Sequence, residues 1–173
     1  MPTSQPNHAS SASPAAAPAA RTGWKLLLGC LATVIVASLF ASLIQSSGGS
    51  VQVVGIRLPT QNGQWLVADL FRPRSATSEH PAPLVVVVPG FQRSKETQSN
   101  ISLELARRGI VVIAIDPYAQ GGSSSSMTPR SATDEGYGMF AVVDYAASTG
   151  NLNYVDQQRI GVTGHSAGGN AAL

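Results

Sequence analysis

The sequence predicts an α/β domain that follows a single transmembrane helix. Residues 26–44 carry no charged side chain, so this apolar run is long enough to cross a bilayer as a helix. Further along, Leu84–Val88 and Ile110–Ile115 are apolar at every position, as expected of central strands covered on both faces. Strands of this kind that alternate with helices predict a parallel sheet with crossover connections.

The first 23 residues are predicted to be a disordered tail. Residues 1–20 are mostly small or polar, and His8 is their only titratable side chain, so they offer little to bury. Arg21 and Lys25 precede the apolar run, and no further basic residue occurs before Arg57. Because positive charge favours the cytoplasmic side of a membrane, this asymmetry predicts a cytoplasmic N-terminus and an extracytoplasmic domain.

Residues 24–45 are predicted to form an uncleaved anchor in the lipid bilayer. Trp24 and Lys25 at its start suit the headgroup layer. A cleaved signal peptide is the alternative, because Ser46-Ser47-Gly48 offers small residues for a cut, but the apolar run is longer than is usual for one. Leu27-Leu28-Gly29-Cys30 is similar to a lipoprotein box, yet Cys30 lies near the beginning of the apolar run rather than after it.

Residues 46–50 read as a Ser/Gly linker, and residues 51–173 as a partial α/β domain. Val51–Leu58 and Trp65–Phe71 are rich in branched and aromatic residues, which favours strands. An Asn62-Gly63 turn signal lies between them. The pair is therefore predicted to form an antiparallel hairpin ahead of the parallel strands.

Two helices are predicted between the later strands. The first spans about residues 97–108 and stops at Gly109, with Ile101, Leu105 and Arg108 on one face. A Gly/Ser-rich loop covers residues 118–131. The second helix is predicted over residues 133–148, with Thr133 as its cap and an acidic first turn.

The end of the chain carries a short motif on which the functional interpretation depends. A predicted strand, Ile160–Thr163, leads into Gly164-x-Ser166-x-Gly168 and then into further small residues. A serine on a sharp strand-to-helix turn adopts a positive φ, so the positions two before and two after it must be nearly free of side chain. A flexible Gly/Ser loop is the alternative, but the preceding strand and the following small-residue helix favour the nucleophile elbow.

The order of elements over residues 51–173 resembles the α/β-hydrolase fold. The most specific part runs Asp156-x-x-Arg159-Ile160-Gly161-Val162-x-Gly164-His165-Ser166-x-Gly168-Gly169, and it resembles the dienelactone-hydrolase and prolyl-oligopeptidase-like branch. Together with the anchor and linker, it is similar to membrane-anchored bacterial members. Pro89-Gly90-Phe91 is also similar to the corresponding turn in polyester hydrolases of the cutinase-like group.

The resemblance implies roles for individual residues. Ser166 would be the nucleophile that attacks an ester, thioester or peptide-like acyl bond and forms an acyl-enzyme. The backbone N–H groups of Ala167 and Phe91 would form the oxyanion hole, with Gly164 and Gly168 as the elbow glycines. The resemblance implies no cofactor and no metal.

Other interpretations exist for several of these positions. Phe91 is alternatively a side chain packed over the sheet edge. His165 adjoins Ser166, but neighbouring side chains on a sharp turn diverge, so it is not the predicted base. Asp116 ends a strand on the side of the sheet where ligands bind, although an Asp before Pro is more often a turn former. The serine run Ser123–Ser126 is predicted to be a flexible loop.

The triad acid and base of this fold follow the serine in the order Ser, Asp or Glu, His. Seven residues follow Ser166 in this sequence, and none is acidic or a histidine. Two expectations result: residues 51–173 are the N-terminal fragment of a serine hydrolase, or a non-catalytic, membrane-anchored interaction module. From residue 46 onward nine basic residues balance nine acidic ones, which excludes an electrostatic footprint for nucleic acid.

Overall fold

The computed structural model describes residues 19–60, 63–125 and 136–173, with side chains from residue 23 onward. It divides into two compact units, Met1–Phe40 and Ala41–Leu173. The predicted disordered tail lies outside the described residues up to residue 18. In the first unit the described residues belong to α1, which spans Ala19–Gln45 and continues into the second unit.

Residues Gly23–Gln45 of α1 are long and apolar enough to cross a membrane, a test that a signal sequence near the N-terminus also passes. α1 ends in a Schellman motif: Gly48 N–H donates to Leu43 O at 2.7 Å, Ser47 N–H donates to Ile44 O at 3.1 Å, and Ser47 has φ 51°. The predicted linker at residues 46–50 is therefore a hydrogen-bonded turn that leads directly into the first strand.

The second unit is built on a mixed sheet of five described strands in the order β1-β2-β4-β3-β5. The strands are β1 (Val51–Pro59), β2 (Trp65–Pro73), β3 (Ala82–Val88), β4 (Val111–Ile115) and β5 (Val155–Gly164). β1 and β2 form the predicted antiparallel hairpin, and β2 also pairs antiparallel with β4. β3 pairs parallel with both β4 and β5, which confirms the predicted α/β class. The Asn62 part of the hairpin turn lies outside the described residues.

Three helices follow the strands in the described part of the second unit: α2 (Ser99–Arg107), α3 (Met139–Ser148) and α4 (Ala167–Ala171). A 3₁₀ turn, Lys95–Gln98, precedes α2, and Gly109 (φ +86°) ends it as predicted. The prediction that Ile101 belongs to the face of α2 that packs on the sheet is wrong, because Ser102 and Ala106 are buried while Ile101 is 46% exposed. Small residues let this helix lie close on the sheet.

α3 begins later than the sequence suggested. The predicted Thr133 cap lies outside the described residues, but Tyr137 (φ 58°) and Gly138 (φ 96°) interrupt any helix that would run through them. A Cβ on Gly138 would lie 2.8 Å from the Leu66 methyl groups. The chain thus needs glycine there to turn tightly over β2 before α3 starts at Met139.

The core lies on both faces of β3 and β4. On one face, side chains of these strands pack against α3 through Met139, Val142 and Ala146. On the other face, Val87, Val112 and Ala114 pack with Ala106 of α2. This explains why both strands are apolar at every position, and it leaves their carboxyl ends free to carry loops at one edge of the sheet.

Candidate active site at the end of β5

Ser166 stands on a sharp turn between β5 and α4. β5 ends at Gly164 and α4 begins at Ala167, and Ser166 between them has φ 53° and ψ −117°. Such a backbone conformation costs a non-glycine residue about 1–3 kcal/mol and persists only where the surroundings hold it. The predicted strand–turn–helix geometry is present, and the Ser166 side chain is exposed on it.

Close backbone packing explains the two glycines of the motif. A Cβ on Gly164 would lie 2.8 Å from Val88 O, and it would also overlap the Gly168 backbone. A Cβ on Gly168 would lie 2.6 Å from Pro89 O and would overlap Val88 O. The start of α4 therefore rests directly on the end of β3, with no room for a side chain at either position.

The turn that follows β3 lies beside Ser166. A Cβ on Gly90 would lie 3.2 Å from His165 Nδ1 and 3.4 Å from Ser166 Cβ, so Gly90 directly faces the elbow. The Phe91 N–H follows immediately. Within the part of the chain that the structure describes, neither the Phe91 N–H nor the Ala167 N–H donates to a protein acceptor. Both donors therefore remain available near Ser166.

The Phe91 side chain is 66% exposed. The alternative in which Phe91 packs over the sheet edge is not what the structure shows. Its neighbour Gln92 has φ 55°, and Arg93 N–H closes a β-turn by donating to Gly90 O at 3.1 Å. This conformation is not predictable from the residues of the turn, because glycine or asparagine is the usual residue at a positive φ there.

The Asp116 carboxylate accepts hydrogen bonds from two loops. It is 3% exposed; its Oδ1 accepts the Lys95 N–H at 2.7 Å and its Oδ2 accepts the Gly122 N–H at 2.9 Å. The segment after β3 and the segment after β4 are thus joined through one buried carboxylate. Of the two interpretations of Asp116, the structure supports the turn former.

Lys95 also fixes the segment after β3 through its side chain. Its Nζ lies 3.3 Å from Asp69 Oδ2 on β2 and 2.6 Å from Glu96 Oε1. Burial lowers the pKa of Lys95, but hydrogen bonds to the two carboxylates and their charges outweigh burial, so the net pKa is raised. The ammonium therefore stays charged and ties this segment to the sheet.

The serine run after β4 is more ordered than predicted where it is described. Ser123 Oγ accepts the Val67 N–H at 2.9 Å and donates to Asp116 O at 2.6 Å. Ser124 Oγ accepts the Trp65 N–H at 3.0 Å. These hydroxyls satisfy backbone donors of β2 beyond its pairing with β4, so the flexible-loop prediction is wrong for Ser123 and Ser124; Ser126 lies outside the described residues.

No described side chain is hydrogen-bonded to Ser166 Oγ. His165 is exposed, and its N–H donates to Val88 O at 3.1 Å, which fixes its backbone rather than its ring. His80 precedes β3 and so lies at the opposite edge of the sheet from Ser166, which follows the parallel strand β5. Among the described residues, no three His, Cys, Asp or Glu side chains form a group suited to a metal ion.

A family model described as PET hydrolase-like matches residues 39–173 of this chain. The fold, the strained serine and this match together define an α/β-hydrolase, and the chain belongs to the PET hydrolase-like family. The finer assignment to the dienelactone-hydrolase and prolyl-oligopeptidase-like branch is not what the family match gives. The resemblance of Pro89-Gly90-Phe91 to polyester hydrolases points to the family that was found.

Solved structures of esterases share this fold. Est1E from Butyrivibrio proteoclasticus, solved with ferulic acid bound, is 26% identical, with a TM-score of 0.52, over 64% of this chain and 42% of that one. The esterase Pf2001 from Pyrococcus furiosus is 20% identical, with a TM-score of 0.57, over 73% and 47%. A bacterial heroin esterase is 21% identical, with a TM-score of 0.57, over 83% and 43%.

This chain spans about 35–47% of the length of the first solved structures it matches. No curated protein matches it.

Proposed function

We propose that Ser166 is the nucleophile of a serine esterase that works through an acyl-enzyme. The observation that carries this proposal is the strained Ser166 backbone between β5 and α4, beside two N–H donors that have no acceptor among the described residues. Strain of this kind is concentrated at functional sites, where it positions a reacting group. Membership of the PET hydrolase-like family supports a hydrolytic reaction at this serine.

The Phe91 and Ala167 N–H groups form the oxyanion hole in this proposal. As Ser166 Oγ adds to the acyl carbon, the carbonyl oxygen gains negative charge, and backbone donors stabilise it without having to reorganise. A single donor of this kind contributes about 2.7–4 kcal/mol to lowering the barrier. Because both donors are main-chain groups, Pro89-Gly90 before Phe91 is compatible with the role.

No base or acid of a triad is assigned to Ser166 here. Residues 167–173 contain no acidic residue and no histidine, and no hydrogen bond joins the described His165 and Ser166. Because the serine proton has no acceptor among the described residues, we expect residues 1–173 alone to be acylated slowly and not to turn over. A chain that lacks a triad member still keeps the residual rate of about 10³–10⁴ over water that the oxyanion hole and binding supply.

The substrate class in this proposal is a carboxylic ester, with thioesters and peptide-like acyl bonds as the wider group. Support comes from the family and from the esterase Est1E, which is solved with ferulic acid. The exposed Phe91 side chain adds apolar surface to the turn that follows β3.

The test is labelling of the full chain, in detergent micelles, with diisopropyl fluorophosphate, followed by peptide mass mapping. We expect Ser166 to be labelled faster than exposed serines such as Ser78, because Ser166 lies beside the proposed oxyanion-hole amides and Ser78 does not. Ser166→Ala should remove this label and no other. Labelling of Ser166 no faster than that of Ser78 would reject the nucleophile. Multiple turnover of p-nitrophenyl acetate that Ser166→Ala abolishes would instead show that residues 1–173 contain a base.

We also propose that α1 is an uncleaved anchor that leaves the hydrolase domain outside the cytoplasm. The helix is uncharged from Leu26 to Gln45, and Lys25 and Arg21 stand at its start. The Schellman motif at Ser47 ends the helix, and Val51 N–H donates to Ser46 O, so the predicted cleavage region is held in a hydrogen-bonded turn rather than in an extended segment. Proteases generally need extended, accessible chain, which favours the anchor over a cleaved signal.

A further inference from the structure

The turn from Gly90 to Arg93 carries a conformation that its own sequence does not favour. Gln92 has φ 55°, and Phe91, the residue before it, provides the N–H proposed for the oxyanion hole. A side chain in left-handed backbone costs about 1–3 kcal/mol unless neighbouring groups hold the chain in place. The short bond from Arg93 N–H to Gly90 O closes the turn but does not fix it against the rest of the domain.

Two side chains from the segment after β4 supply that attachment. Gln120 Oε1 accepts the Arg93 N–H at 2.9 Å, and Asp116 Oδ1 accepts the Lys95 N–H at 2.7 Å. Both acceptors bond to main-chain donors of one short segment, on the far side of the turn from Ser166. These two hydrogen bonds oppose a change of the Gln92 backbone to a negative φ, which would rotate the backbone of the preceding residue, Phe91.

Gln120 is itself held in a defined position. Its N–H donates to Pro117 O at 3.0 Å, and its carbonyl oxygen accepts the Ser123 N–H at 3.2 Å. Ser123 in turn is fixed on β2 and Asp116 through its hydroxyl. The backbone of Gln120 is therefore held in place, and its side chain reaches the Arg93 N–H from that fixed point.

We propose that Gln120 is a positioning residue for catalysis: it fixes the Arg93 end of the turn, and through it the direction of the Phe91 N–H. This inference rests on the proposed function, because it assigns that N–H to the oxyanion. Asp116 binds the same segment two residues further along, at the Lys95 N–H, and its buried carboxylate also stabilises the domain. Gln120 is the better probe because it is only partly buried.

The experiment compares three variants of the full chain in detergent micelles. Gln120→Met keeps the length of the side chain but removes the acceptor. Gln120→Glu keeps an acceptor oxygen at the same place. Gln158→Met makes the same change at an exposed glutamine of β5 whose side chain has no hydrogen bond among the described residues. Amide hydrogen exchange over residues 91–95 and the rate of Ser166 labelling by diisopropyl fluorophosphate are measured for each.

We expect Gln120→Met to speed exchange of the Arg93 amide and to slow Ser166 labelling about 10-fold or more, since misplacement of a group by about 1 Å costs up to about 100-fold. Gln120→Glu should restore the exchange protection and at least part of the labelling rate, while Gln158→Met should match the unsubstituted chain. Unchanged exchange in Gln120→Met would overturn the proposal. Faster exchange with an unchanged labelling rate would also overturn it, because Gln120 would then hold the loop without affecting the serine.

The proposed function fails in a different way. If Ser166 is not labelled selectively in the unsubstituted chain, the nucleophile assignment is rejected, and the positioning role in catalysis is rejected with it. If Ser166 is labelled selectively and its labelling rate is the same in Gln120→Met, only the positioning role is rejected.

Discussion

The contact of Gly168 with the end of β3 makes Gly168→Ala a decisive substitution. The added Cβ would lie 2.6 Å from Pro89 O and 2.8 Å from the carbonyl carbon of Val88, and real Cβ atoms essentially never come within 3.0 Å of another atom. Both neighbours are backbone atoms at the end of a buried strand, so they cannot move aside as a flexible side chain would. Either α4 or the end of β3 must shift.

The size of the effect follows from two opposing terms. Overpacking of this kind costs about 1–3 kcal/mol, and more where backbone must move. Ala within a helix is favoured over Gly by about 1 kcal/mol, which offsets part of the cost. Because backbone must move, we expect a value at the upper end of the difference, so that Gly168→Ala lowers the free energy of unfolding by about 2 kcal/mol.

The adjacent glycine provides a matched control. A Cβ on Gly169 would lie 3.3 Å from Gly164 O, a tight contact that a shift of a few tenths of an ångström relieves. The same helix preference then applies, so Gly169→Ala should change the free energy of unfolding by less than about 1 kcal/mol.

The assay is urea unfolding of the full chain in detergent micelles, followed by the fluorescence of Trp65 on β2. A Trp24→Phe background removes the signal from α1. A shift of the urea midpoint without a change in slope reports a change in stability. If Gly168→Ala unfolds at the same midpoint as Gly169→Ala, the packing argument for the motif glycine is refuted.

Three further predictions concern the loop after β4, an ion pair and the topology. Ser123→Ala removes the acceptor of a partly buried β2 amide and should destabilise the domain by about 1 kcal/mol or more in the same assay, whereas Ser78→Ala at an exposed loop position should not; equal midpoints would contradict this. The Lys95 hydrogen bond holds the pKa of Glu96 at about 2, below its unfolded value, so its contribution is complete above about pH 4.5 and is lost as the pH falls towards 2. Because Glu96 is largely exposed, Glu96→Gln should lower stability at pH 6 by no more than about 1 kcal/mol and have a markedly smaller effect near pH 2; a difference that grows on acidification would reverse the argument. A reporter that is active only outside the cytoplasm should be active when fused after Ser50, and activity of a cytoplasmic reporter there would overturn the orientation.

The sequence predicted those features that local pattern determines. The hairpin, the apolar strands β3 and β4 and the helix stop at Gly109 each follow from the residues within one element. The elbow could also be predicted, because the glycine spacing around Ser166 is a local pattern, although the contacts that require it are with Val88 and Pro89 at the end of β3. The buried face of α2 could not be predicted in this way. Its buried residues, Ser102 and Ala106, are small and let the helix approach the sheet closely, which a hydrophobicity pattern does not record.

The contacts that hold the loops could not be predicted because they join distant positions. Gln120 meets Arg93 and Asp116 meets Lys95 only because β3 and β4 are neighbours in parallel register. The serine hydroxyls at Ser123 reach β2 only because β2 pairs with β4. A serine run is typical of a flexible loop in isolation, and sheet order alone turns it into a set of acceptors for free strand amides.

The two halves of the proposed oxyanion hole share one support, the carboxyl end of β3. Val88 O accepts the His165 N–H at 3.1 Å and lies against Gly168, so it holds the elbow that carries the Ala167 N–H. Three residues further on, the same strand end delivers Phe91. A shift at Val88 therefore displaces both donors, whereas loss of the Gln120 bond affects only the second. Gly168→Ala should accordingly reduce stability and Ser166 labelling together, and Gln120→Met should reduce labelling with little change in the urea midpoint.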